Sequence, residues 1–329
     1  MPKNPIFSEI DLDGNGRQSG YLALTHSVHR SAYGYIPIPI ASLKNGPGPT
    51  VLLMAGNHGD EYEGQVLISE LIRTLDLEDI TGQLLLLPMA NFPAAAAGLR
   101  TSPIDDGNLN RSFPGNPRGT VTEIIAHFIE SELIARADFM VDLHSGGSSL
   151  LYRPSLLLPW NEGDEINNRK KALIEAFGLP QTLLLRRNSE GWYSSSAALR
   201  QDTLSLTTEL GGGGFVGQEA LRLGRAGLLR VLEEMGLYHG PQPDRDFRET
   251  PQIFQSDSYV FANEAGLVEL LVEPGDKVTA GQPAARLHQT ETPGRDPIEL
   301  AFEEAGIVLA KRVPARCLRG DCLFHVGTP

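Results

Sequence analysis

The stretch Thr50-Val-Leu-Leu-Met-Ala-Gly56-Asn-His58-Gly-Asp-Glu61-Tyr-Glu-Gly64 decides how this chain folds. Thr50 to Ala55 is an apolar run of strand length, and Gly56 opens a glycine-rich bend directly after it. The run reads as a buried strand and the bend as the loop at its C-terminal end. In open α/β sheets ligands bind at that edge. The bend carries a histidine and a carboxylate three residues apart, His58 and Glu61, and both are ligand types that suit zinc. Taken alone, the same loop would also serve to cap the next helix, with Asp60 and Glu61 at its N-terminus.

Outward from this stretch, strand-like and helix-like runs alternate. Strands are predicted at 50–55, 83–88, 138–143, 182–185 and 203–210, and helices at 64–75, 120–135, 167–177 and 218–235. That alternation argues an α/β fold with a mainly parallel sheet flanked by helices. Residues 1–46 read as short strands and turns packed on it, with a strand from Tyr35 to Ile40 and a turn at Asn45-Gly-Pro-Gly-Pro49. The catalytic domain is expected over 47–245. The helix signal stops near Thr250, and 250–329 reads as a small all-β domain, joined through Gly240-Pro-Gln-Pro-Asp244.

Zinc held by His58 and Glu61 needs a third protein ligand that leaves one coordination position open for water. His144, in Asp142-Leu-His144-Ser-Gly-Gly, is the best candidate, because it too ends a strand before glycines. Asp142 shares its face of the strand and can orient a ligand imidazole. Glu209 ends an apolar strand before four glycines, a poor place for a merely solubilising charge. Beside a zinc site it would act as general base on a water whose pKa the metal lowers to about 7. The polar loop Arg100 to Gly115 offers Arg111 as a bidentate grip for a substrate carboxylate, Asn110 as a second donor, and Arg100 for a developing oxyanion. A structural salt bridge from Arg111 to Asp105 or Asp106 is the alternative. Glu190, in a Ser/Gly loop, is read as solvated.

Bulk properties narrow the partners. The chain has 329 residues, 41% hydrophobic, with net charge −13. That charge argues against nucleic acid, and no stretch has the apolar length to span a bilayer. The N-terminal residues lack a signal-peptide h-region. The two cysteines, Cys317 and Cys322, are expected to be reduced thiols, which with the missing signal points to the cytoplasm. Two motifs are set aside. Asp11-Leu-Asp-Gly-Asn-Gly opens like a calcium loop but places Leu22 where a bidentate glutamate belongs, so a hairpin turn is expected. His26 and His29 would point to opposite faces of the strand expected there.

His58-Gly-Asp-Glu61, Asn-Leu-Asn-Arg111, Asp142-Leu-His144 and Thr208-Glu209-Leu-Gly together resemble the succinylglutamate desuccinylase/aspartoacylase family, over nearly the whole chain. The resemblance implies a zinc carboxypeptidase-like fold, one zinc per chain on His58, Glu61 and His144, Asn110 and Arg111 as substrate ligands, and Glu209 as general base. It also implies a homodimer and a small-molecule N-acyl amino acid substrate. The stretches Arg30-Ser-Ala-Tyr-Gly34, Ile36-Pro-Ile-Pro-Ile40 and Thr101-Ser-Pro-Ile-Asp105 are most similar to the branch that deacetylates N-α-acetyl-L-2,4-diaminobutyrate. Branches acting on N-succinylglutamate or N-acetylaspartate are the alternative, and a catalytically silent ligand-binding protein is a third. The final β domain resembles a lipoyl- or biotinyl-type barrel-sandwich. No lysine lies between Lys277 and Lys311 to carry such a group, so a structural role at the pocket mouth is expected.

Overall fold

The computed structural model describes residues 4–186, 188–242 and 250–328; part of the expected linker, Pro243 and Asp244, lies outside them. Eleven strands precede the C-terminal region: β1 (Ile6–Ser8), β2 (Gly16–Thr25), β3 (Tyr35–Asn45), β4 (Thr50–Ala55), β5 (Gly82–Leu87), β6 (Phe139–His144), β7 (Leu150–Tyr152), β8 (Ser155–Pro159), β9 (Gln181–Leu185), β10 (Leu204–Glu209) and β11 (Gln252–Phe254). Between them run α1 (Glu63–Thr74), α2 (Phe92–Ala97), α3 (Val121–Phe128), α4 (Asn167–Phe177), α5 (Ser194–Arg200) and α6 (Gln218–Glu234). All of these strands except β7 form one sheet, in the order β1-β2-β3-β5-β4-β6-β10-β8-β9-β11. Its centre, β5-β4-β6-β10, is parallel, while β8 joins β10 antiparallel and β1 to β3 form an antiparallel edge.

The central strands are apolar on both faces because both faces are covered. Val51, Leu53 and Ala55 pack with Leu67, Leu71, Phe177 and Val231 of α1, α4 and α6. Leu52 and Met54, one residue out of phase, pack on the other side with Ile125 and Phe128 of α3 and Ala197 of α5. This is the strand period of two expressed as two cores. The glycines of the His58 loop are dictated by close approach. A Cβ on Gly59 would lie 2.1 Å from the carbonyl carbon of Ala94 in α2, and Gly59 N donates to Leu99 O at 2.8 Å. Gly59→Ala is therefore expected to destabilise the fold by about 1–3 kcal/mol. An unchanged midpoint in urea denaturation would show that the loop can yield.

Two local expectations are corrected, and one helix was not expected. The helix expected over 120–135 begins at a Thr120/Glu123 capping box but becomes a π turn at Ile129–Leu133 and a 3-10 turn at Ile134–Arg136. Within the wide turn the buried Glu130 pairs with Arg200 at 2.8 Å. α5 was not foreseen, since Ser194-Ser-Ser carries no apolar period. His26 and His29 lie beyond the end of β2 rather than in a strand, in a connection closed by His26 N donating to Gly34 O at 2.9 Å. The turn expected at Asp11 links the antiparallel pair β1 and β2.

The C-terminal region contains β12 (Ser256–Phe261), β13 (Gly266–Leu270), β14 (Lys277–Val278), β15 (Pro283–His288), β16 (Ile298–Ala301), β17 (Gly306–Arg312), β18 (Arg316–Cys317) and β19 (Cys322–Thr328). They make two small sheets, β12-β19-β17-β14 and β16-β15-β13-β18, around Val260, Leu287, Phe302 and Phe324. Cys317 and Cys322 are both free thiols. The two regions interlock: β7 pairs with β17, placing Tyr152 opposite Ala310, and β11 extends the main sheet beside β9. That interlock carries residues of the last strands to the edge where β4, β6 and β10 end.

Candidate active site

The chain leaves β4 and lays its next central strands on either side of it, β5 on one and β6 on the other, so the sheet opens a crevice at the carboxyl ends of these strands. His58 and Glu61 stand in the loop after β4. His144 is the last residue of β6 and sits in register with Glu209, the last residue of β10. The parallel register thus brings the His58–Glu61 pair together with His144 and Glu209, which lie far along the chain from it and from each other.

His58 Nδ1 lies 2.6 Å from Glu61 Oε1, and His144 Nδ1 lies 2.7 Å from Glu61 Oε2. All three residues are buried, and their ligand atoms lie within 4.8 Å of one another. The outer nitrogens are engaged as well: His58 Nε2 meets Asn108 Oδ1 at 3.2 Å and His144 Nε2 meets Asp142 Oδ2 at 2.9 Å. Asp142 is in turn held by Asn57 Nδ2 at 3.0 Å and by the Ser194 hydroxyl. Outer partners of this kind fix the ring orientation of metal-ligating histidines. The role expected for Asp142 matches this geometry. Asn57, Asn108 and Ser194 were missed; only the closeness of the first two to His58 and Asn110 hinted at them.

The electrostatics describe a cluster arranged around positive charge. Burial lowers the His58 pKa, and the neighbouring Glu61 only partly offsets it. Burial alone would raise the Glu61 carboxyl, but the two imidazoles outweigh it and hold the group below its ordinary range. His144 is lowered by burial, yet Asp142 and Glu61 together carry it well above the usual imidazole value. His144 thus lies between two carboxylates, Glu61 on its Nδ1 side and Asp142 on its Nε2 side. A divalent cation suits the same place, since metal binding displaces ligand protons. Two imidazole nitrogens and one carboxylate with their outer partners in place are a donor set that fits zinc.

Glu209 has another environment. Burial raises its pKa well above the ordinary carboxylate value, and the charge on Glu61 adds to the effect. Its Oε2 is buried without a hydrogen-bond partner among the described residues. A buried carboxylate oxygen left unpaired at a polar crevice is costly unless something else satisfies it during function.

His58, Glu61, His144 and Glu209 line one cavity of about 340 Å³ together with Arg100, Asn110 and Arg111. Arg100 Nη1 lies 3.4 Å from Glu61 Oε1, and its side chain is half exposed. Asn110 Oδ1 accepts from Ser194 N at 3.0 Å, and its Nδ2 lies 3.5 Å from His144 Nε2. The Arg111 guanidinium lies over the Tyr193 ring, 4.6 Å from its centroid. Asp105, weighed as its ionic partner, instead accepts from Thr122 N and Oγ1 at 2.7 and 2.8 Å. Glu190 is exposed. The remaining wall carries Tyr152, Asp257, Tyr259 and His325, none of them singled out by the sequence, because three of the four come from strands read as structural.

Residues 47–235 match the succinylglutamate desuccinylase/aspartoacylase catalytic domain. The chain belongs to the succinylglutamate desuccinylase/aspartoacylase family. Within that family it is 39% identical to the N-α-acetyl-L-2,4-diaminobutyric acid deacetylase of Halomonas elongata, over 98% of this chain and 95% of the relative. Among solved structures it is similar to the product-bound ectoine utilization protein EutE (DoeB) from Ruegeria pomeroyi, with TM-score 0.94 and 38% identity over the full length of both chains. A succinylglutamate desuccinylase structure from Silicibacter sp. TM1040 matches with TM-score 0.93 and 36% identity, over 100% of this chain and 99% of that one. The zinc carboxypeptidase-like expectation of a mixed, mainly parallel sheet with a C-terminal β region agrees with these folds, and the His-Glu-His cluster lies inside the matched family segment.

Proposed function

We propose that this protein is a zinc-dependent deacylase and that its substrate is N-α-acetyl-L-2,4-diaminobutyrate, which it would convert with water to acetate and L-2,4-diaminobutyrate. The observation that carries the reading is the convergence of His58, Glu61 and His144 beside the orphaned Oε2 of Glu209. The named relative in Halomonas elongata supplies the choice of substrate.

Zinc, bound by His58, Glu61 and His144, would polarise the acyl carbonyl and make water acidic enough to attack near neutral pH. The chain's own residues do the rest. Arg111 and Asn110 hold the substrate carboxylate, Arg111 by a two-bond grip that a lysine could not supply. Glu209 takes a proton from the attacking water and returns it to the departing amine nitrogen, so the C–N bond breaks as an N–H bond forms. Burial and the Glu61 charge hold the Glu209 pKa well above the ordinary carboxylate value, which favours its keeping the proton between the two transfers. The positive charge of Arg100 faces the cavity and compensates the oxyanion that develops on the former carbonyl.

The similarity to a succinylglutamate desuccinylase favours one competing reading, a substrate with an acidic side chain. Steady-state assays on N-α-acetyl-L-2,4-diaminobutyrate, N-succinylglutamate and N-acetylaspartate separate the two. The first is expected to exceed the others by at least about tenfold in kcat/KM, the scale of a single charge-assisted contact. The reverse order would replace the substrate assignment. A silent ligand-binding protein would release no acid from any of them, and the retention of Glu209 argues against that.

A further inference from the structure

The substrate named above differs from those of the acidic branch in side-chain charge: its side chain ends in an ammonium rather than a carboxylate. We propose that Asp257 forms the subsite for that ammonium, so that the C-terminal β region selects a cationic acyl-amino acid. This inference rests on the deacylase reading and adds a recognition element to it.

Among the described residues the carboxylates lining the cavity are Glu61, Glu209 and Asp257, and the first two belong to the metal-side chemistry. Asp257 comes from β12, on the wall contributed by the C-terminal region. Its Oδ2 accepts from the Tyr259 hydroxyl at 2.7 Å and lies 3.0 Å from His325 Nε2. The Tyr152 hydroxyl meets His325 Nδ1 at 3.0 Å, so a chain of hydrogen bonds runs from β7 of one region through β19 of the other to Asp257. His325 is buried and stacks on Tyr259 with ring centroids 4.5 Å apart and planes 9° apart. The carboxylate is thereby held in one orientation, while the Asp257 side chain keeps 28% of its exposure. Asp257 also lines a second cavity of about 620 Å³ that shares Arg111, Tyr193 and Tyr259 with the first, which places it at the throat between them.

Arg111 stands at the same throat. A carboxylate and a guanidinium fixed on the rim of one cavity match an acyl-amino acid that presents a free carboxylate and a free ammonium. An acyl-aspartate or acyl-glutamate would instead bring a second carboxylate toward Asp257, and like charges there would reject it. A brace between the two regions is the competing role for the Tyr152–His325–Asp257 chain. It predicts losses that do not depend on substrate charge.

The test compares kcat/KM for N-α-acetyl-L-2,4-diaminobutyrate with that for N-acetyl-L-2-aminobutyrate, which lacks only the side-chain ammonium, and for N-acetyl-L-aspartate. The wild-type protein is expected to prefer the cationic over the neutral substrate by about 10–100-fold, the scale of a hydrogen bond to a charged group. In Asp257→Asn that ratio should collapse toward unity and the handicap of the acetyl-aspartate should shrink, at unchanged zinc content. Tyr259→Phe, which keeps the ring and removes one bond to Asp257, should lower the ratio by a few fold, and it decides the matter if Asp257→Asn does not fold. Equal losses on cationic and neutral substrates, or an unchanged ratio, would overturn the subsite. Wild-type protein that cleaves all three equally would overturn it and leave the deacylase reading standing. Wild-type protein that cleaves none of the three would remove both.

Discussion

Glu209→Gln is expected to lower the turnover number for amide hydrolysis by about 100- to 10,000-fold, the usual contribution of a positioned general acid–base group, with zinc content unchanged. The replacement keeps the side-chain volume and the β10 backbone, whose register with His144 positions the residue. It removes the ability to accept a proton from water and return it to the amine. Metal analysis and single-turnover kinetics on the same preparation would check it. Because burial disfavours the charged form of Glu209, the variant should melt no lower than the wild type, so a loss of activity could not be blamed on unfolding. Turnover near the wild-type level would exclude Glu209 as the proton carrier.

The second large effect is expected from Glu61→Gln. Glu61 accepts from Ser145 N at 3.2 Å and bridges both imidazoles through its two oxygens. An amide in its place has one acceptor oxygen instead of two and no charge. Zinc should fall to a small fraction of one ion per chain, and hydrolysis should fall below detection. In chelator-treated protein the change also removes the carboxylate that both imidazoles share and leaves His144 with Asp142 as its remaining close anion, so the variant is expected to be less stable than the wild type. Denaturation of chelator-treated wild type and variant measures that difference. A variant that keeps its zinc and its stability would show that Glu61 is neither a ligand nor an electrostatic hub.

Much of the site was legible because its residues sit where strands end in glycines. An apolar run followed by Gly56, or by Gly146 and Gly211, announces the carboxyl edge of a central strand, and chemistry placed there is rarely decorative. The helices at 167–177 and 218–235 were legible through their apolar period. The π turn at Ile129–Leu133 was not, because no residue type in that window marks it; its buried Glu130 pairs with Arg200, 70 residues further along. α5 was not, because a serine-rich turn becomes helical only when Ala197 and Ala198 are buried against the sheet.

Local order along the chain determined the strand–loop motif, the residue types that could take a metal, and the acid proposed for proton transfer. These follow from hydropathy over a few residues and from the chemistry of single side chains. Tertiary structure alone decided that Asn108 would meet His58, that Asn57 and Ser194 would hold Asp142, that Arg111 would lie over Tyr193, and that Tyr152, His325 and Asp257 would close the far wall. Those contacts span sequence separations of 50 residues between His58 and Asn108 and as many as 173 between Tyr152 and His325. Only the pairing of β7 with β17 brings them within hydrogen-bond range, and no short window of sequence records that pairing.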